Sequence, residues 1–278
     1  MTAPPTPPAS ASAPALRGRR FWPLAVAALA IAAVCALAAV RPWGEAPSPV
    51  VATAQDAAPA AVAPAALALP DQPRVLIFGD SWTYGSAAAL PTLGYAYVLG
   101  ERLGWETTVD GVRGSGYLKP GLDGGAYGER IAALDPALDP DLVIIEGSIN
   151  DRRLPATGYQ EAVTAAWDAL AALYPSATIV VLGPAPQVLP VEETTARIDA
   201  DLSSLAAARG WWYVSPISDE WITPENYAEV IDTAIGRYHP STGGHAYLAT
   251  RLAESLAAIS GATDVVADAP HDAEPTGP

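Results

Sequence analysis

The chain has 278 residues, half of them apolar, with 15 basic against 30 acidic side chains and a formal net charge of −15. That length fits one domain of ordinary size plus accessory segments, and the acidic balance argues against nucleic acid or an anionic lipid as a partner. One cysteine, three histidines and no paired ligand spacing make a metal site or a disulfide framework unexpected, and no cofactor is called for.

In chain order, residues 1–16 are rich in Pro, Ala and Ser and carry no charge. Arg17, Arg19 and Arg20 then precede Phe21–Val40, twenty residues without one charged side chain. A helix of that length rises about 30 Å, the thickness of the hydrocarbon core, whereas secretory signals have apolar regions of about 7–15 residues. Segment 1–20 is therefore expected in the cytoplasm, 21–40 as a single transmembrane anchor, and everything after it outside, because three of the four flanking arginines lie on the N-terminal side. Cleavage near Ala52-Thr53-Ala54 and secretion is the alternative. Residues 41–72 read as an Ala/Pro-rich tether, 73–261 as the folded domain, and 262–278 as a disordered acidic tail.

Within the domain, strands are expected at 74–79, 105–110, 141–146, 177–182 and 211–215. Helices are expected near 94–103, 126–134, 158–173, 192–209 and 242–259. Regular alternation of this kind implies a parallel sheet with helices on both faces, an α/β architecture. The continuously apolar run Val75–Phe78, ended by Gly79, predicts a central strand that delivers Ser81 to the crevice at its carboxyl end. Trp82 and Tyr84 either shape a pocket there or pin the following helix to the sheet.

Three later segments supply complementary chemistry. The loop Asp110–Tyr117 is glycine-spaced, so backbone N–H groups can face an anion. The strand expected at 141–146 ends in Gly147-Ser148-Ile149-Asn150-Asp151, where the Asn150 amide can donate to a developing oxyanion. Finally, Tyr238-His239-Pro240 places a histidine just before the last helix. A serine, a histidine and two kinds of donor are the parts of an acyl-transfer site. His245 is expected to pack on the last helix, Asp80 to hold the turn, and Asp151 to cap the helix near Arg152. Arg152 and Arg153 can meet an anionic substrate, although an exposed pair is more often solvated. The segments Gly183–Pro190 and Asp219–Tyr227 are expected over the catalytic end of the sheet.

Gly79-Asp80-Ser81, Gly114, Ser148-Ile149-Asn150-Asp151 and His239-Pro240 with Gly244-His245 together resemble the blocks of the SGNH hydrolases, the GDSL esterase/lipase family, across residues 74–258. The resemblance implies a three-layer α/β/α sandwich with a flavodoxin-like sheet. It implies Ser81 as nucleophile, His239 as base, and an oxyanion hole from the Ser81 N–H, the Gly114 N–H and the Asn150 side chain. Two positions depart from the family pattern. Ser148 replaces a glycine, and Gly236 stands where an aspartate usually precedes the histidine by three residues. The imidazole must then be oriented by a backbone carbonyl, the favoured reading, or by Asp232, Asp219 or Glu220. The expected activity is an extracytoplasmic serine esterase acting on short acyl or acetyl esters of a small molecule, glycan or lipid. Acyl transfer to an envelope glycan, or a silent glycan-binding relative, are the alternatives, and the oligomeric state is left open.

Overall fold

The computed structural model describes residues 64–261. The first strand β1 (Arg74–Gly79) runs directly into a single-turn helix α1 (Ser81–Tyr84), and α2 (Tyr95–Leu103) leads to β2 (Glu106–Gly111). Then α3 (Tyr127–Ala132) precedes β3 (Leu142–Glu146), α4 (Tyr159–Leu173) precedes β4 (Thr178–Leu182), and α5 (Glu193–Ala208) precedes β5 (Trp212–Val214). A short helix α6 (Tyr227–Val230), a hairpin of β6 (Ile231–Asp232) and β7 (His239–Pro240), and α7 (Thr242–Ser260) complete the order. The five long strands pair in parallel in the order β2-β1-β3-β4-β5. This is the flavodoxin-like arrangement, with its switch point between β1 and β3.

Because side chains alternate across a strand, each central strand feeds two cores. Val75 and Ile77 of β1, Leu142 and Ile144 of β3 and Val180 and Leu182 of β4 pack with Leu99 of α2 and Leu248 and Leu252 of α7. The intervening Leu76, Phe78, Val143, Ile145, Ile179 and Val181 pack with Ile131, Val163, Trp167 and Leu202 of α3, α4 and α5. Both sheet faces are thus covered, as an apolar parallel sheet requires, and the chemistry is left to the strand ends.

The expected elements are present with ends shifted by one or two residues, and β5 is reduced to three residues. Patterning did not reveal α1, α6 or the β6–β7 hairpin, which are too short for a periodic signal. Among the described residues no helix is long and apolar enough to cross a membrane; the segments 1–20, 21–40 and 262–278 lie outside the described residues. The end of the expected tether is not free of the domain. Leu67 is buried in the first core, its N–H donates to Ile259 O at 3.0 Å, and Trp212 Nε1 donates to Ala65 O at 2.8 Å.

Leu67 therefore acts as a plug at the C-terminal end of α7. Leu67→Ala is expected to lower unfolding free energy by about 2 kcal/mol, the low end for a buried leucine at a site that can partly collapse. Urea denaturation of the purified protein measures it, and an unchanged midpoint would mean the segment contributes nothing to the fold.

Candidate active site

Ser81 leaves β1 at a turn only a glycine can make. A Cβ at Gly79 would stand 2.5 Å from Glu146 Oε2 and closer still to Thr83 Oγ1. Asp80 caps the single turn of α1 by accepting from Trp82 N at 2.8 Å. Arg130, buried and stacked 4.1 Å over the Phe78 ring, donates to Gly79 O at 2.9 Å and to Asp110 O at 2.8 Å. The ends of β1 and β2 are thereby clamped together beneath the serine.

His239 arrives on the hairpin. Its Nε2 lies 2.9 Å from Ser81 Oγ, and its Nδ1 lies 2.8 Å from Gly236 O. A carbonyl can only accept, so Nδ1 carries the proton and Nε2 is the lone pair that faces the serine hydroxyl. Asp232 instead uses its carboxylate within the hairpin, accepting from Ala234 N at 2.9 Å. Gly236 is required by space, since a Cβ there would come within 2.6 Å of Ala87 Cβ and 2.7 Å of Asp232 Cβ. Arg237 and Tyr238 both adopt positive φ, +50° and +67°, a left-handed pair that folds the chain back so that the Gly236 carbonyl meets the ring.

Two backbone donors belong to residues that line the same cleft. The Ser81 N–H opens α1 and so has no intrahelical acceptor, while Gly114 adopts φ +74° in the loop after β2; among the described residues neither N–H has a hydrogen-bond acceptor. The loop is fixed by Asp151, which accepts from Tyr117 N at 2.7 Å, Leu118 N at 3.2 Å and Lys119 N at 3.0 Å. Asp151 is thus a loop anchor rather than the helix cap expected from sequence. Gly116 makes room for it, because a Cβ there would lie 2.6 Å from its carboxylate. Asn150 lines the cavity with Ser81, Gly114 and His239. Its amide nitrogen donates to Asp80 Oδ2 at 2.7 Å and to Ser115 O at 3.0 Å, so turning toward a substrate oxygen means exchanging one of these bonds.

Behind the nucleophile lies a feature passed over in the sequence. Asp80 and Glu146 are both buried, and the Asp80 N–H donates to Glu146 Oε2 at 2.9 Å. Burial, and then the nearby Asp80 carboxylate, hold the Glu146 carboxyl well above the usual carboxylate range. The same Glu146 oxygen accepts from the Thr83 hydroxyl at 3.2 Å. Ser148 completes the cluster, its hydroxyl lying 2.8 Å from Asp80 Oδ2 and 2.7 Å from Ser115 O. The available signal was a lone acid ending an otherwise apolar strand, Leu142–Glu146.

The site opens into a cleft of about 910 Å³. Tyr84 lines it, whereas Trp82 and Trp221 are buried in the core. From the two irregular segments only Gln187 reaches the cleft; Tyr227 OH holds its carbonyl at 2.6 Å. His245 is fully buried, accepting from Tyr95 N at 3.2 Å through Nδ1 and contacting Ser86 O at 3.0 Å through Nε2. Desolvation lowers its pKa to about 4, so it is a neutral packing residue. Among the described residues no group of three or more His, Cys, Asp or Glu is placed to hold a metal ion.

Comparison with known proteins follows the same lines. Residues 77–247 match the GDSL-like lipase/acylhydrolase family. A GDSL lipase of Mycobacterium tuberculosis is 29% identical over 192 residues, covering 64% of this chain and 79% of the relative. A carbohydrate acetylesterase of Sinorhizobium meliloti superimposes with a TM-score of 0.53 at 18% identity, covering 66% of this chain and 98% of its own. An aryl esterase of M. smegmatis does so with a TM-score of 0.51, also at 18% identity, covering 66% and 98%.

The raised Glu146 pKa has a readable consequence. The folded protein keeps a proton there that the unfolded chain releases near its reference value of about 4.3. Stability from this site is therefore complete below that value and is lost as pH rises through the folded value. Glutamine offers the same acceptor and a permanent donor. Glu146→Gln should match the wild type in thermal denaturation near about pH 4 and become progressively more stable than it as pH rises; parallel curves would place the titration elsewhere.

Proposed function

The chain belongs to the GDSL-like lipase/acylhydrolase family and is a serine hydrolase of ester bonds, and on that premise we propose that it cleaves short acyl esters, above all acetyl esters, outside the cytoplasm through an acyl-enzyme. The observation that carries the mechanism is the continuous relay from Ser81 Oγ to His239 Nε2 and from Nδ1 to Gly236 O, set beside two unpartnered N–H groups. His239 takes the serine proton as Oγ bonds the acyl carbon, and the carbonyl π electrons move onto oxygen. The Ser81 and Gly114 N–H groups receive that oxyanion, joined by Asn150 when its amide exchanges a bond. The imidazolium returns its proton to the departing alkoxide. Water, deprotonated by the same imidazole, then bonds the acyl carbon; the imidazolium gives that proton to Ser81 Oγ as the acyl–oxygen bond breaks, and the carboxylic acid leaves.

Support for a short acyl group comes from the carbohydrate acetylesterase that shares this fold. Support for placement outside the cytoplasm comes from the arginines and apolar run of residues 17–40.

The direct experiment is an acyl-length series of nitrophenyl esters: kcat/KM should be highest for acetyl and fall toward octanoyl, and the reverse order would overturn the short-acyl assignment. Ser81→Ala should abolish hydrolysis and fluorophosphonate labelling while melting as the wild type does.

Asn150→Ala distinguishes a donor from a scaffold residue. Loss of one oxyanion donor lowers kcat by about 10²–10³ with a much smaller change in KM. A drop in melting temperature with kcat intact in the folded fraction would assign Asn150 to the Asp80 cluster alone.

A further inference from the structure

Residues 64–261 contain 24 acidic and 11 basic side chains, so a surface sampled at random from this domain is mostly negative. The cleft is the reverse. Arg113, Lys119, Arg152, Arg153 and Arg237 line it, and Asp232 is the one acid among its lining residues. Nearly half of the domain's cations thus line the cleft around the nucleophile, and one of its acids does. A solvated surface does not explain that segregation, because the same composition spread evenly would place acids there two to one.

Two of the five cations are neutralised and structural. Arg113 pairs with Asp123, and Arg152 pairs with Glu192 at 2.9 Å while also donating to Gln187 Oε1 at 2.8 Å. Lys119, Arg153 and Arg237 are exposed, and among the described residues none has a carboxylate within 4.0 Å. They are held close to the chemistry. A Cβ on Gly114 would stand 3.8 Å from Lys119 Nζ, which puts the ammonium beside a donor of the oxyanion space. Arg237 is locked at φ +50° two residues before His239, and Arg153 ends the 3-10 turn Ile149–Arg153 that carries Asn150. Each comes from a different catalytic segment, so the three converge from the loop after β2, the turn after β3 and the hairpin.

We propose that the cleft selects an anionic ester, one whose acyl or alcohol part carries a carboxylate or phosphate near the scissile bond, and that Lys119, Arg153 and Arg237 bind that charge. The proposal rests on the ester-hydrolase reading above and adds its substrate class. A positive cleft in a negative body focuses potential at the mouth, attracting an anion that the rest of the surface repels. Because the three groups are exposed, the attraction is screened within about 10 Å at ordinary salt, so it acts on a charge that enters the cleft rather than at long range.

The test uses two pairs of soluble esters that differ in charge. Acetylated oligogalacturonate against its methyl-esterified form represents a glycan source, and dibutyryl phosphatidate against dibutyrylglycerol, both below their aggregation limits, represents a lipid source. The expected result is that kcat/KM favours the anionic member of one pair by roughly tenfold or more at low salt, with the ratio falling as salt rises. In the combined variant Lys119→Gln, Arg153→Gln, Arg237→Gln the ratio should fall toward one; as a ratio, it is insensitive to a general loss of folded enzyme. Arg102→Gln on α2, which removes a charge away from the cleft, should leave the ratio as in the wild type. Turnover of nitrophenyl acetate with no preference in either pair, or a preference the triple variant retains, overturns the proposal and leaves the esterase reading intact. Absence of turnover on nitrophenyl acetate as well overturns both.

Discussion

The arrangement depends on one buried carboxylate. Asp80 Oδ1 accepts the Trp82 N–H and so closes the turn that carries Ser81. Its Oδ2 gathers Ser148 Oγ and Asn150 Nδ2 from the end of β3, and both of those also reach Ser115 O in the loop after β2. The ends of β1 and β3 are thus fastened to a single side chain, and the loop after β2 is fastened to the two residues that it holds. An unpaired buried carboxylate is costly, so the site is stable only when all three segments are in place. Preorganisation of the reacting groups is in this sense a condition of burying Asp80.

The electrostatics around Ser81 are asymmetric. Behind it, two carboxyl groups are enclosed among hydroxyls and tyrosines, with Glu146 kept protonated by burial and by its neighbour. In front, the charged residues that line the cleft are mostly cations. Holding Glu146 neutral keeps a second negative charge from accumulating beneath a centre where an oxyanion must form. The Asp80 N–H and the Thr83 hydroxyl donate to Glu146 Oε2, so the acid is hydrogen-bonded rather than stranded, and the Tyr127 hydroxyl donates to the residue's backbone carbonyl at 3.0 Å.

Much of this was legible in the sequence, for identifiable reasons. Runs such as Val75–Phe78 and Leu142–Ile145 are apolar at every position, which only a strand covered on both faces can use, and they fixed where Ser81 and Asn150 would emerge. Helices with a long apolar stripe, α5 and α7 among them, were placed within two residues. What escaped was short or non-local. The β6–β7 pairing has only two residues per strand, so no periodicity announces it, and Asp151 binds backbone 32–34 residues away. The reason for glycine at 236 is crowding by Ala87 and Asp232, which only tertiary packing brings together. The convergence of Lys119, Arg153 and Arg237 likewise depends on three loops meeting in space.

The Gly236 carbonyl gives the relay a third member that belongs to the main chain. A side-chain carboxylate in that role can be lost by a single codon change and is itself protonated in acid. A peptide oxygen is neither. It belongs to the backbone, and it carries the same partial charge throughout the pH range in which the fold persists. The orientation of His239 is therefore inherited from the path of the hairpin, and its heritable determinants are the residues that shape that path, Arg237 and Tyr238 in their left-handed conformation and Ala87 packed against Gly236. Sequence drift in this enzyme would disable the base by rerouting a loop, in a way no alignment of catalytic side chains would register.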